Sequence, residues 1–152
     1  MLEVCIIGSY EDITKILCLP ISDEEIATHK EYYEIKSIET EYYVSNYDKD
    51  NLQTLNEIAR YYKNIDDETE RAIFEAVYIG YGVFEEAVKI YETGEFSYFI
   101  NINDYEDLGK AYVEAGFENI DEFILKFIDY EKLGKYVQID YVITQKGIAV
   151  SY

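Results

Sequence analysis

One seven-residue phrase, Asp-Tyr-Glu-Xaa-Leu-Gly-Lys, occurs twice in this chain, from Asp104 to Lys110 and again from Asp129 to Lys135. Both copies set carboxylates beside a tyrosine and follow them with Leu-Gly-Lys. The segment joining them carries a dense set of helix signals, and these constrain the fold more than any other stretch. Asp104 can cap a helix whose apolar positions are Leu108, Ala111, Tyr112 and Ala115, closed by Gly116. Asn119 can cap a second helix, with Ile120, Phe123, Ile124, Phe127 and Ile128 on one face. Glu106, Asp107, Glu114, Glu118, Asp121, Glu122, Asp129 and Glu131 then fall mainly outside. An apolar inner side beneath an acidic outer side is the pattern of the whole chain.

The charge is spread in the same way. The 152 residues hold 32 acids against 13 bases, a net charge of −19. It divides into −8 over residues 1–50, −6 over 51–100 and −5 over 101–152. An acidic tail would concentrate at one end; this charge covers a folded body, since half the residues are hydrophobic. Self-repulsion of that size destabilises a compact state and calls for a reason beyond solubility. An acidic surface repels nucleic acid and anionic membrane, so its natural partners are basic grooves and not DNA or lipid. The Met-Leu-Glu start does not read as a signal peptide, and no apolar run approaches the length of a membrane span. A cytoplasmic protein is the expectation.

In chain order, residues 2–8 read as a buried strand closed by Gly8 and Ser9, and Ile13 to Ile21 as a second. Ser22 and Glu25 form a capping box that opens a short helix through Ala27 and Lys30. Residues 32–47, with Ile35, Ile38, Tyr42 and Val44, supply at least one more strand. From Asp50 the period becomes helical: Leu52, Leu55, Ile58, Ala59 and Tyr62; then Ile73, Ala76 and Val77; then Val83, Phe84, Ala87, Val88 and Tyr91, stopping at Gly94. Phe96 to Ile102 reads as a strand, and strand pairs are expected at 136–143 and 148–152. The fold class is α+β, in three small subdomains in series: an N-terminal α+β unit with an antiparallel sheet (1–48), a central helical unit (49–95) and a C-terminal α+β unit (96–152). Small units with short joins favour an elongated body.

Catalytic chemistry is poorly represented. His29 is the one histidine, Cys5 and Cys18 lie in apolar strand-like surroundings and read as buried thiols, and no Cys-Xaa-Xaa-Cys is present. Gly80-Tyr-Gly82 lacks the rest of a phosphate loop. Asp48 and Asp50 could begin a calcium loop, but Gln53 and Ala59 stand where glycine and the bidentate glutamate belong. The expectation is a protein without cofactor, metal or catalytic residues. Eighteen tyrosines, with doublets at 32–33, 42–43 and 61–62, suit half-buried packing; some left among the carboxylates would suit a protein-binding face.

The C-terminal segment, with Asp107-Leu-Gly109, Glu114-Ala-Gly116 and above all Phe127-Ile-Asp-Tyr-Glu-Lys-Leu-Gly-Lys135, resembles the ArdA antirestriction proteins of mobile genetic elements, including conjugative transposons. The Leu55-Asn-Glu-Ile-Ala59 run and the glycine-broken helices ending at Glu92-Thr-Gly94 fit the same family, so the likeness spans about residues 50–145. Departures are Phe127 where the family has tyrosine, Lys135-Tyr136 where it has Arg-Asp, and a diverged N-terminal unit. The resemblance implies a non-enzymatic DNA mimic that dimerises through its C-terminal region and occupies the DNA-binding groove of type I restriction–modification enzymes. The implied phosphate substitutes are Asp66, Asp67, Glu68, Glu70, Glu85, Glu86, Asp104, Glu106, Asp107, Glu114, Glu118, Asp121, Glu122, Asp129 and Glu131. Two copies would carry twice −19, the charge of about 65 Å of duplex at one charge per roughly 1.7 Å of axis. The resemblance, with the apolar run Phe96, Tyr98, Phe99, Ile100 and Ile102, places the homodimer contact on that strand. An acidic adaptor or regulator of some other basic DNA-binding protein is the alternative.

Overall fold

Alternation of inward leucine, valine and isoleucine with outward residues, Cys18 and an exposed Ile16 among them, makes the first sheet. The computed structural model describes residues 1–8, 14–29, 33–116 and 120–152. β1 (Leu2–Gly8) lies between β2 (Thr14–Leu19) and β3 (Tyr33–Thr40), antiparallel to both. Leu2, Val4 and Ile6 of β1 and Leu17 and Leu19 of β2 point to one buried face. The period of two that buries Leu17 and Leu19 turns Cys18 outward, so Cys18 is exposed and Cys5 half-buried. The reading of both thiols as buried is corrected accordingly. α1 (Asp23–His29) begins as the capping pattern indicates, with the Glu25 N–H donating to Ser22 Oγ at 3.1 Å, and buries Ile26. Ser9, Ile13, Lys30, Tyr32, Glu118 and Asn119, to which the sequence reading gave places, lie outside the described residues.

The helical stretch forms α2 (Leu52–Asn64), α3 (Glu68–Tyr81) and α4 (Phe84–Thr93). Asn51 caps α2 through the Thr54 N–H, and Asp67 caps α3 by accepting from Thr69 and Glu70. Gly82 and Gly94 end α3 and α4 in the left-handed conformation that glycine adopts without strain. Most apolar positions read from the sequence are buried: Leu52, Leu55, Ile58, Ala59 and Tyr62 on α2, Ile73, Ala76 and Val77 on α3, and Phe84 and Ala87 on α4, whereas Val83, Val88 and Tyr91 are half-buried. Phe74 is the hub of their aromatic packing, with ring centroids 4.6 Å from Tyr61, 5.3 Å from Tyr62 and 5.4 Å from Tyr91.

One core joins the first sheet to these helices and takes in Ile148 and Val150 from the end of the chain. It thus draws on both the 1–48 and the 49–95 stretch. A second, smaller core is built from Ile102, Leu108, Val137 and Ala149, with Phe99, Ala111, Tyr112, Leu133 and Tyr141 against it. The second sheet connects the two: β4 (Ser97–Phe99) and β5 (Val142–Ile143) flank β6 (Ala149–Ser151), all antiparallel. The described protein is therefore α+β, with two small antiparallel sheets.

Three expectations are corrected in the C-terminal region. The strand at Phe96–Ile102 shortens to Ser97–Phe99, because Asn101 takes a positive φ of 62° and the Ile102 N–H turns to the Gly147 carbonyl. Residues 136–140 are not extended: α7 (Tyr130–Val137) runs on until Val137 reaches the second core, and a 3-10 turn (Gln138–Asp140) follows before the chain extends at Tyr141. The second helix of the inter-repeat segment is a single turn, α6 (Glu122–Leu125), capped by Asp121. Apolar residues here face outward: Phe123 and Ile124 of α6 and Phe127 in the turn after it are 67, 54 and 72% exposed.

Candidate functional site

The repeated phrase builds a pair of packed helices. Asp104 caps α5 (Tyr105–Glu114) by accepting from the Asp107 N–H, and Asp129 caps α7 by accepting from the Lys132 N–H. Within each copy lysine pairs with glutamate one turn back, Lys110 with Glu106 at 2.6 Å and Lys135 with Glu131 at 2.5 Å. The contact between the copies is reciprocal. Gly109 of the first lies against the Tyr130 carbonyl of the second, and Gly134 of the second against the Tyr105 carbonyl of the first. Equivalent residues thus meet in exchanged order, the relation expected of a two-fold contact. Lys135 Nζ also sits over the Tyr105 ring, 5.8 Å from its centroid. Fixing two helices this closely needs a residue without a side chain at the crossing, which is the reason for Leu-Gly in each phrase.

Around this pair the acidic residues sort by what they hold. Asp67, Asp104, Asp121 and Asp129 are helix caps whose carboxylates are engaged by backbone N–H groups. Glu68 and Glu70, Glu85 and Glu86, Glu106 and Asp107, Glu122 and Glu131 occupy first turns, where the helix dipole favours negative charge. Glu70 accepts from the Tyr91 hydroxyl, and burial together with that bond pushes the tyrosine pKa upward. Asp107 accepts from the Asn103 backbone and side chain, which holds its carboxyl below the usual range. Asp129 is held low by hydrogen bonding from Lys132. Asp66, Glu68, Glu85, Glu86, Glu114 and Glu122 are exposed, and none of their side-chain carboxylates makes a hydrogen bond or ion pair among the described residues. Glu118 lies outside those residues. Local helix formation explains most of the acidic positions, Glu68, Glu85, Glu86 and Glu122 among them as first-turn acids; what sets the six apart is that their carboxylates stay unpaired.

The strand assigned to the dimer contact is divided between inside and outside. Ile102 is 4% exposed and belongs to the second core. Phe96 packs on the first core and Phe99 stacks on Tyr141 with centroids 5.5 Å apart. Tyr98 and Ile100 stand out, each 47% exposed, and β4 is an edge strand.

No family model matches this chain, and no curated protein matches it. The function must be argued from the residues themselves. Among the described residues no three histidine, cysteine or carboxylate groups converge to hold a metal ion, and no helix is long and apolar enough to cross a membrane. His29 is half-buried beside Lys15, 3.1 Å from its Nζ; burial and that ammonium lower its pKa. A cleft lined by Tyr42, Tyr62, Glu68, Arg71, Glu75 and Lys146 has both cations engaged. Arg71 donates to the carbonyls of Ile65 and Asp66, and Lys146 pairs with Glu75 at 2.9 Å.

Sequence reasoning missed one residue that matters to this acidic framework. Asp48, considered only as the start of a calcium loop, is 7% exposed and takes three hydrogen bonds on Oδ2. The signal available was its place one helix-cap interval before Asn51, where a short polar residue can serve the chain's own backbone.

Proposed function

We propose that this protein is an acidic DNA mimic that acts in the cytoplasm by occupying the DNA-binding groove of type I restriction–modification enzymes, so protecting the DNA of a mobile element. The observation that carries the reading is the set of six exposed carboxylates without partners, on α3, α4, α5, α6 and the turn before α3. The net charge of −19 surrounds them with a field of one sign, and basic residues of a groove can replace counterions there as they do on a phosphate backbone. The likeness of the twice-used Asp-Tyr-Glu phrase to the ArdA proteins supplies the enzyme class.

The test is cleavage of plasmid by a purified type I enzyme with this protein titrated in at rising salt. Inhibition is expected to be stoichiometric and to weaken linearly on a log–log plot against salt. Progressive replacement of Asp66 by asparagine and of Glu68, Glu85, Glu86, Glu114 and Glu122 by glutamine should flatten that line step by step, because none of these changes removes a cap. A single replacement that abolished inhibition would point to a specific contact and sink the distributed interface. No inhibition of any such enzyme would leave the acidic adaptor as the working reading.

The reading includes a homodimer. Its contact is assigned to the β4 edge, with Tyr98 and Ile100 as the side chains free to reach a second copy. Tyr98→Ser/Ile100→Ser should sediment as a monomer with its fold intact by circular dichroism. An unchanged dimer would put the contact elsewhere. Phe99 and Ile102 do not serve for this test, since both belong to the second core.

A further inference from the structure

The one-turn helix α6 presents a knuckle of bare apolar surface. Phe123 and Ile124 project from it and Phe127 from the turn that follows, more than half of each exposed, with the two rings 5.2 Å apart. Scattered exposed apolar residues are ordinary, but three within five positions, each largely uncovered, form a contiguous patch of the kind that marks an interaction site. Its surroundings set the sign of the occupant. Asp121 and Glu122 are exposed beside it and Asp129 follows, its carboxylate paired with Lys132 at 2.8 Å, with Lys126 the single base between them in the chain. Two copies meeting here would bring these carboxylates against one another within an already acidic pair, and like-charge juxtaposition opposes that contact. A basic surface meets the same rim with opposite sign.

We propose that Phe123, Ile124 and Phe127 are an apolar anchor that seats in an apolar recess beside the basic groove of the restriction enzyme, which rests on the function proposed above. Apolar side chains at the centre of a charged rim are where interfaces concentrate their energy. A phosphate backbone has nothing equivalent. Salt that weakens both DNA and mimic by screening and counterion exchange leaves this contact in place, so the anchor gives the mimic an advantage that persists as ionic strength rises.

The two kinds of contact separate in a salt titration. Binding of fluorescently labelled protein to a purified type I enzyme is measured over a range of sodium chloride concentrations. Phe123→Ser/Phe127→Ser is expected to weaken binding by about 30-fold or more at every concentration, with the slope against log salt unchanged because no charge is lost. Phe127→Ser alone should give a smaller parallel displacement. Glu85→Gln/Glu86→Gln should instead flatten the slope. All three variants alter exposed side chains, and circular dichroism verifies their folds. An unshifted line for the double serine variant overturns the anchor and leaves the mimic standing. A wild-type dimer that becomes a monomer on this change overturns it too, making the knuckle a contact between copies. Wild-type protein that binds no such enzyme at any salt removes the mimic reading and the anchor with it.

Discussion

Alanine at Gly134 is expected to destabilise the protein by about 3 kcal/mol or more, a result outside the ordinary range for adding one methyl group. The reason is what the methyl would meet. A Cβ at Gly134 would fall on the Tyr105 carbonyl, closer than the 3.0 Å that real Cβ atoms respect, and near Tyr105 Cα as well. These are backbone atoms of α5, so no rotamer change relieves the clash; the helices must separate. Separation breaks the α5–α7 contact over its length and opens the core of Leu108, Val137, Ile102 and Ala149. Gly109→Ala should cost a similar amount through the Tyr130 carbonyl, because the two positions are exchanged by the same reciprocal contact. Gly94→Ala is the control. Its φ of +69° disfavours alanine, but no atom lies within 4 Å of the added carbon, so only about 1 kcal/mol is expected. Urea unfolding of the three variants gives the ranking. If Gly134→Ala and Gly94→Ala unfold at the same midpoint, the close crossing of the two phrases is not what the glycines serve.

That contrast marks what the sequence made legible. Helical period located the apolar positions of the buried face of α2 and half of those of α3, since Leu52, Leu55, Ile58, Ile73 and Val77 had no other way to leave water, but it passed over Ala72, Phe74 and Tyr78, which are buried too. Caps were readable where a short polar side chain preceded an apolar run, as at Ser22 and Asp104. The repeat itself was visible, but not that its halves would pack on each other. Nothing local says that Gly109 and Tyr130, 21 residues apart, will touch. The same limit governs the apolar face read on residues 120–128. Periodicity says that Phe123, Ile124 and Phe127 could share a face, whereas only the assembled chain says whether anything covers it. Tyr98 and Ile100 differ from Phe99 and Ile102 for a like reason: four apolar residues in one run cannot all be inside, and the turn at Asn101 decides which are.

The carboxylates need the same distinction between local and distant demands, and Asp48 supplies the sharpest case. Asp48→Ala is expected to lower stability by about 3 kcal/mol or more, which for a chain of this size lowers the melting temperature by about 6–12 °C. Its Oδ2 accepts from Ser45 Oγ at 2.9 Å, the Tyr78 hydroxyl at 2.6 Å and the Phe84 N–H at 3.0 Å. These donors come from the turn before α2, from α3 and from the first residue of α4, so one buried oxygen joins three elements. Alanine would leave all three donors buried without this acceptor, and an orphaned buried donor costs more than a made bond contributes. Asp48→Asn keeps one carbonyl oxygen and should lose less, its deficit being the charge. The effect reaches the proposed interface: the Phe84 N–H belongs to the first turn of α4, and Glu85 and Glu86 follow it. Asp48→Ala should therefore weaken binding to a basic enzyme while removing an acid that is itself buried and unable to touch one. Thermal unfolding checks the first expectation, and the salt slope of binding the second. A variant with wild-type stability would mean that Ser45, Tyr78 and Phe84 find other acceptors, and that Asp48 is an acid like those on the surface.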